Sequence, residues 1–190
     1  SAHIRVGTFE YFSSRGQLED LKLLADYCLE RLYPEIEKSS DSYLQLFIAI
    51  SQRKLDLVAK WMGFGFIHGV MNTDNTSIAG ETIDYGPCAF MDQFSFEKVY
   101  SSIDGQGRYA YKKQGKIALW NLLVLANCFI PLIDTDEKIA VKKLENELEK
   151  LPPYFVGLWL GDGTSSKNEI SNQDEEVVVY LQQYADALGF

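Results

Sequence analysis

The sequence predicts a mainly α-helical domain interrupted by one short β-hairpin. Two observations carry this. Four stretches repeat apolar residues at the three- and four-residue spacing of a helix and end at a proline or glycine, and the least helical segment is His68 to Asp92, where two short apolar runs flank a Gly-Glu pair. With 190 residues and 46% hydrophobic content the chain can bury one sizeable core.

The first helical stretch carries Leu18, Leu21, Ala25, Cys28, Leu29 and Leu32 on one side and Glu19, Lys22 and Glu30 on the other, and stops near Pro34. Asp41 is a natural N-cap for a second, longer helix striped by Leu44, Phe47, Ile48, Leu55, Val58, Ala59 and Met62, which Gly63 and Gly65 end. In the non-helical region, Ser77–Ala79 and Thr82–Tyr85 flank Gly80-Glu81, the pattern of a small hairpin. Ser101 to Gly115, rich in Gly, Ser and Lys, reads as an exposed loop. Ile117 to Ile130 is apolar on nearly every face, which suits the middle of a core, and Pro131 terminates it. Asp134 and Glu137 match a capping box for a helix striped by Ala140, Leu144, Leu148 and Leu151, stopped by Pro152-Pro153. Gly161 to Asn172 is a polar loop, with Gly161-Asp162-Gly163 a simple turn rather than a phosphate loop. Val177, Leu181, Tyr184 and Leu188 suit a last helix, although Val177 to Tyr180 also suits a strand. The expected division is 1–160 as the main domain and 161–190 as a divergent tail.

Composition excludes some functions. A net charge of −9, from 27 acidic and 18 basic side chains, repels nucleic-acid backbones, and no local basic patch offsets it. Cys28, Cys88 and Cys128 are odd in number, far apart and without nearby histidines, so neither a disulfide framework nor a zinc site is expected. A reducing, cytoplasmic compartment fits best (mitochondrial for a eukaryotic source). The longest apolar run, Ile117 to Ile133, is broken by Asn121, Asn127 and Pro131, so no membrane span is expected. The Asn75-Thr76-Ser77 sequon has no secretory context. The chain opens without Met and in mid-motif, which suggests a fragment.

The chemistry concentrates in His68-Gly69-Val70-Met71-Asn72-Thr73-Asp74-Asn75 and Thr82-Ile83-Asp84-Tyr85-Gly86-Pro87. Transfer from a nucleotide needs a divalent cation, and hard cations take carboxylate and amide oxygens. A hairpin between the two strings would aim Asn75 and Asp84 at one ion and leave Asp74 to face the reacting hydroxyl as base. Taken singly, Asp74 and Asn75 are also ordinary turn formers and Asp84 an ordinary strand-end residue. His68 reads as a hydrogen-bonded residue that orients the loop, and Tyr85 as a core aromatic.

These strings resemble kinases first. His68-Gly69 opens the catalytic-loop frame, Asn75 stands in the register of the metal-binding Asn, and Asp84-Tyr85-Gly86 stands for Asp-Phe-Gly. Val70 occupies the position of the usual catalytic Asp, so the ordinary kinase mechanism does not carry over. That departure is a mark of another family. Phe66 to Asn75, Thr82 to Pro87, Phe90-Met91-Asp92, the opening His3 to Glu10, Gly107 to Tyr111 and Trp120-Asn121-Leu122 closely resemble the selenoprotein O family, with the likeness fading beyond about Leu160. The resemblance implies a kinase-like C-lobe and transfer of AMP from ATP to Ser, Thr or Tyr hydroxyls of proteins. It implies Asp74 as general base, Asn75 and Asp84 as ligands of Mg2+ or Mn2+, and Arg5 and Asp84 at the nucleotide. The family's Gly-rich loop, nucleotide-clamping Lys and C-terminal redox motif are absent, so the chain alone is expected to be inactive or nearly so. The alternatives are a catalytically dead kinase-like binding module, and phosphoryl transfer with Asp74 as the base.

Overall fold

A computed structural model describes residues 3–148; the expected Pro152-Pro153 stop, the 161–172 loop, the last helix and the boundary at 160 lie outside the described residues. Five helices form the body: α1 (Val6–Ser14), α2 (Leu18–Arg31), α3 (Ser42–Gly63), α4 (Gln114–Ile133) and α5 (Glu137–Leu148). Two residues each make β1 (Phe66–Ile67) and β2 (Ala89–Phe90), an antiparallel pair with Phe66 opposite Phe90 and Ile67 opposite Ala89. Mainly helical with one small sheet is what the sequence predicts. The strands are not the expected ones.

The expected hairpin across Gly80-Glu81 does not form. Ser77 instead bridges Arg5, flanked by Val6 N–H donating to the Thr76 carbonyl (2.9 Å) and Ile78 N–H donating to the Ile4 carbonyl (3.1 Å). Thr82 to Tyr85 runs on without a strand partner, and the chain pairs only at Ala89. Tyr85, expected in the core, is 63% exposed.

The core gathers on α3 and α4, the most extensively packed pair, with α1, α2 and α5 laid against them. Phe129 of α4 stacks on Phe9 of α1 at 5.2 Å between ring centroids and meets Phe47 of α3 at 6.0 Å, so three helices share one aromatic contact. By length and composition the segment Tyr111–Ile133 could cross a membrane, contrary to the expectation from its polar interruptions. In this fold that greasiness is used for packing, because Ile117, Leu122, Leu125 and Phe129 are buried among the other helices. Pro131 does not end α4, which continues to Ile133. It sits on the exposed face with Asn127, where water can meet the carbonyl that a proline leaves unpaired.

Two expected caps move. Asp41 precedes α3 but its side chain makes no cap bond; it reaches Lys143 at 3.5 Å, while the Ser42 hydroxyl accepts from Ser39 N–H at 2.7 Å. Asp136, not Asp134, caps α5: its carboxylate accepts from Lys138 N–H (2.9 Å), and Asp134 instead accepts from Asp136 N–H (3.1 Å). The 101–115 segment is only partly an exposed loop. The Asp104 carboxylate accepts from the Arg108 and Tyr109 N–H groups at 2.8 Å each, and Ser101, Tyr111 and Gln114 are buried.

Candidate active site

The segment after β1 dips into the core and back out. His68 is fully buried, and Gly69 follows with φ +85° in the left-handed region, where a side chain would also press on the Pro87 carbonyl at 2.8 Å. Met71 is buried, and Thr73–Asn75 then forms a single 3-10 turn. Asn72 closes that turn from the front: its side-chain oxygen accepts from Asn75 N–H (3.1 Å) and its carbonyl accepts from the Thr76 hydroxyl (3.1 Å). Thr73 is buried while Asp74 is exposed and Asn75 half-buried. The turn thus buries Thr73 and leaves the Asp74 side chain at the surface.

Two polar side chains of the greasy helix α4 fix the approach to this turn. Gln114 accepts from His68 N–H through Oε1 and donates to the Phe66 carbonyl through Nε2, both at 2.9 Å. Asn121, seven residues and two helical turns on, donates to the Met71 carbonyl at 2.8 Å. Asn121 is legible in the sequence as a polar interruption of an apolar helix, a pattern that signals a buried backbone needing partners. Gln114 carries no such signal, because it lies ahead of the apolar run in a stretch with the composition of an exposed loop.

The His68 ring serves the other string. Its Nε2 meets the Ile83 carbonyl at 2.7 Å, so Nε2 carries the proton, and Nδ1 faces Val70 N–H at 3.4 Å. Burial lowers the His68 pKa from its ordinary value and nearby Lys54 lowers it further, against the bond to Ile83 and the charge of Asp84. The ring is therefore neutral near pH 7 and acts as a brace. Trp61 of α3 lies 5.1 Å from it, centroid to centroid, and donates from Nε1 to the Thr82 hydroxyl at 3.0 Å. Asp84 follows this braced pair with φ +56°, a left-handed conformation uncommon for a residue with a side chain.

Of the sequence-predicted residues, Arg5 and Asp84 come together directly, guanidinium to carboxylate at 4.0 Å, both side chains more than a third exposed. Asp74 lies against the first turn of α1, where any side chain at Gly7 would overlap its carboxylate. Asn75 joins the group through the backbone, since Arg5 pairs with Ser77 two residues beyond it. The stretch Arg5 to Gly7 is the hub that touches both strings. Among the described residues no group of three or more His, Cys, Asp or Glu side chains is placed to hold a metal.

Lys54 escaped the sequence reading altogether. It lies in α3, 2% exposed, with its Nζ 4.9 Å from the centre of the Trp61 ring. Burial brings its pKa down from 10.5 to about 7.

Residues 1–186 match the family described as protein adenylyltransferase SelO. The chain belongs to that family. The likeness runs well past Leu160, where the motifs had suggested that it fades. The protein nucleotidyltransferase YdiU of Bacillus mycoides strain KBAB4 is 48% identical over 176 residues, 93% of this chain and 36% of that protein. The YdiU proteins of Bacillus cereus strains B4264 and G9842 are 49% identical over 183 residues and 52% over 159. They are covered to 37% and 33% of their length, and this chain to 96% and 84%. The chain thus spans little more than a third of the relatives it matches.

Proposed function

We propose that this chain carries the base and metal-binding part of a protein adenylyltransferase, within a kinase-like C-lobe. Family membership supports the reaction class, and one observation ties it to these residues. The Arg5–Gly7 hub sets its guanidinium beside Asp84, its backbone beside the segment following Asn75, and its glycine against Asp74. In the proposed reaction a Ser, Thr or Tyr hydroxyl of a substrate protein attacks the α-phosphorus of ATP. The bond from that phosphorus to the bridging oxygen breaks, pyrophosphate leaves, and the hydroxyl proton passes to Asp74. AMP is left esterified to the protein.

The donor set fits a hard cation of the Mg2+ or Mn2+ type. Such ions take one or two protein oxygens and complete their shell with substrate phosphates and water, and Asp84 and Asn75 are oxygen donors of the right kind. When bound, the cation would supply charge neutralisation on the phosphates. Arg5 serves the same end from the protein side: its Nε is buried without a partner among the described residues, and its planar fork suits phosphate oxygens.

The test uses the full-length gene product, labelled ATP and mass spectrometry. Asp84→Ala is expected to reduce AMP transfer by roughly a hundredfold or more, since positioning and charge neutralisation supply most of the rate. Parental activity of Asp84→Ala would overturn the metal assignment. Added phosphate in place of AMP would overturn the reaction.

A further inference from the structure

Segments 4–10 and 73–78 meet in opposite directions, the first entering helix α1 and the second leaving the 3-10 turn. Glu10 faces Thr73, Gly7 faces Asp74, Val6 bonds Thr76, Arg5 bridges Ser77 and Ile4 bonds Ile78. The last three contacts are backbone pairing, which many sequences can make. The first two depend on side-chain identity, one at the residue before the proposed base and one at the base itself. On α1, residues 7 and 10 share a face, so one helix surface meets both Thr73 and Asp74.

We propose that Glu10, acting through Thr73 and with Gly7 as the seat, is the positioning residue that aims the Asp74 carboxylate. This rests on the reading of Asp74 as general base. The Thr73 hydroxyl donates to Glu10 Oε2 at 2.7 Å, and Thr73 is buried, so its proton is committed to that carboxylate. A bond from a hydroxyl to a carboxylate is among the stronger kinds and survives thermal motion better than a neutral one. Among the described residues it is the side-chain bond that ties the Thr73–Asn75 turn to α1; the other side-chain bonds of the turn are to Asn72, within the loop itself. Without it the turn can rock about its backbone pairing at Thr76, and Asp74, next to Thr73, moves with it. Gly7 sets the other limit: its missing side chain is the space into which the Asp74 carboxylate settles. Glu10 and Thr73 touch no reacting atom in this scheme. Their effect is on orientation, where a displacement of about 1 Å costs on the order of a hundredfold in rate.

The experiment is kinetic, on the full-length gene product. Glu10→Ala and Thr73→Val are each expected to lower kcat by about tenfold to a hundredfold with KM for ATP nearly unchanged. The double variant should be no worse than the worse single one, because both remove the same bond. Glu10→Gln and Thr73→Ser keep an acceptor and a donor, and should restore most of kcat. They also control for folding, since thermal melts of these two are expected to match the parent. Gly7→Ala should lower kcat at least as far as Glu10→Ala. Parental kcat in Glu10→Ala, or losses from the two single variants that simply add, would overturn the proposal. Asp74→Asn separates the two levels. If it is inactive while Glu10→Ala keeps parental kcat, only the positioning role fails; if Asp74→Asn is itself fully active, the assignment of the base fails as well.

Discussion

The two arms of the candidate site are held in different ways. The arm from His68 to Asn75 is fastened along its length: Gln114 takes the His68 N–H and, just ahead of the arm, the Phe66 carbonyl, Asn121 takes the Met71 carbonyl, Asn72 closes the turn and Glu10 pins Thr73. The arm from Gly80 to Pro87 has two cross-links from the core, Trp61 to Thr82 and His68 to Ile83, and both end before Asp84. Beyond them Asp84 is left-handed and exposed, tied only by its long, solvent-open pairing with Arg5 among the described residues, and Tyr85 beside it is exposed as well. A general base works only in a narrow range of directions, whereas a carboxylate that meets a cation can adjust with it. On the roles proposed for Asp74 and Asp84, the difference in fastening follows the difference in chemical tolerance.

Breaking the tighter arm should cost the most. In Gln114→Leu the His68 N–H and the Phe66 carbonyl lose their partners while remaining buried. Each orphaned group costs about 1–3 kcal/mol, so a loss of roughly 3–5 kcal/mol is expected in chemical denaturation. Because His68 is displaced too, the Asp84 arm should loosen in the same variant. A loss below about 1 kcal/mol would mean that water replaces the glutamine and that the two arms are not fastened as differently as their bonding implies.

The looser arm carries an energetic handicap beneath it. Lys54 is buried against Trp61 with no carboxylate within ion-pair reach among the described residues. Its amine binds a proton only below about pH 7 in the folded protein, against 10.5 ordinarily. Between those values the unfolded chain holds a proton that the folded chain lacks, so stability rises with pH across that window. The handicap is complete below about pH 7 and gone above about 10.5. Lys54→Met removes it, and keeps the length of the side chain. A gain on the order of 3 kcal/mol is expected at pH 7, shrinking as pH rises toward 10. Urea titrations at pH 7 and pH 9.5 measure both the gain and its slope. A pH-independent difference between variant and parent would show that the amine finds a counter-charge.

How much of this was legible in the sequence differs between the arms as well. Helices α2, α3 and α5 announced themselves because each shows one face to water and one to the core, and that contrast is written in residue spacing. Helix α1 did not, for its only buried residues are Val6 and Phe9, too few to make a stripe. The expected hairpin failed for a related reason. Ser77 finds its partner at Arg5, some seventy positions away, and pairing at such range leaves no local mark. The strings containing Asp74, Asn75 and Asp84 stood out by resemblance, yet Glu10, Gln114 and Trp61, which hold them in place, belong to other elements. Lys54 was invisible because a lysine in a helix reads as a solvated face until the packing places it inside.

The mildest substitution tests the comparison most directly. Trp61→Phe keeps the ring that packs on Phe66 and His68 but removes the indole N–H that the Thr82 hydroxyl accepts. A single partly buried hydrogen bond contributes about 1 kcal/mol, so global stability should fall by no more than that. The effect on the arm itself should be larger in proportion, since one of its two cross-links is gone. Amide hydrogen exchange resolves the two: protection at residues 80–86 is expected to drop several-fold, while residues 70–76, fastened from α1 and α4, keep theirs. On the proposed metal role of Asp84, AMP transfer by the full-length variant should then need more divalent cation to reach the same rate, because a freer carboxylate must be ordered on binding. Equal loosening of both arms would mean that His68 couples them into one unit, and that the contrast in fastening is geometric but not energetic.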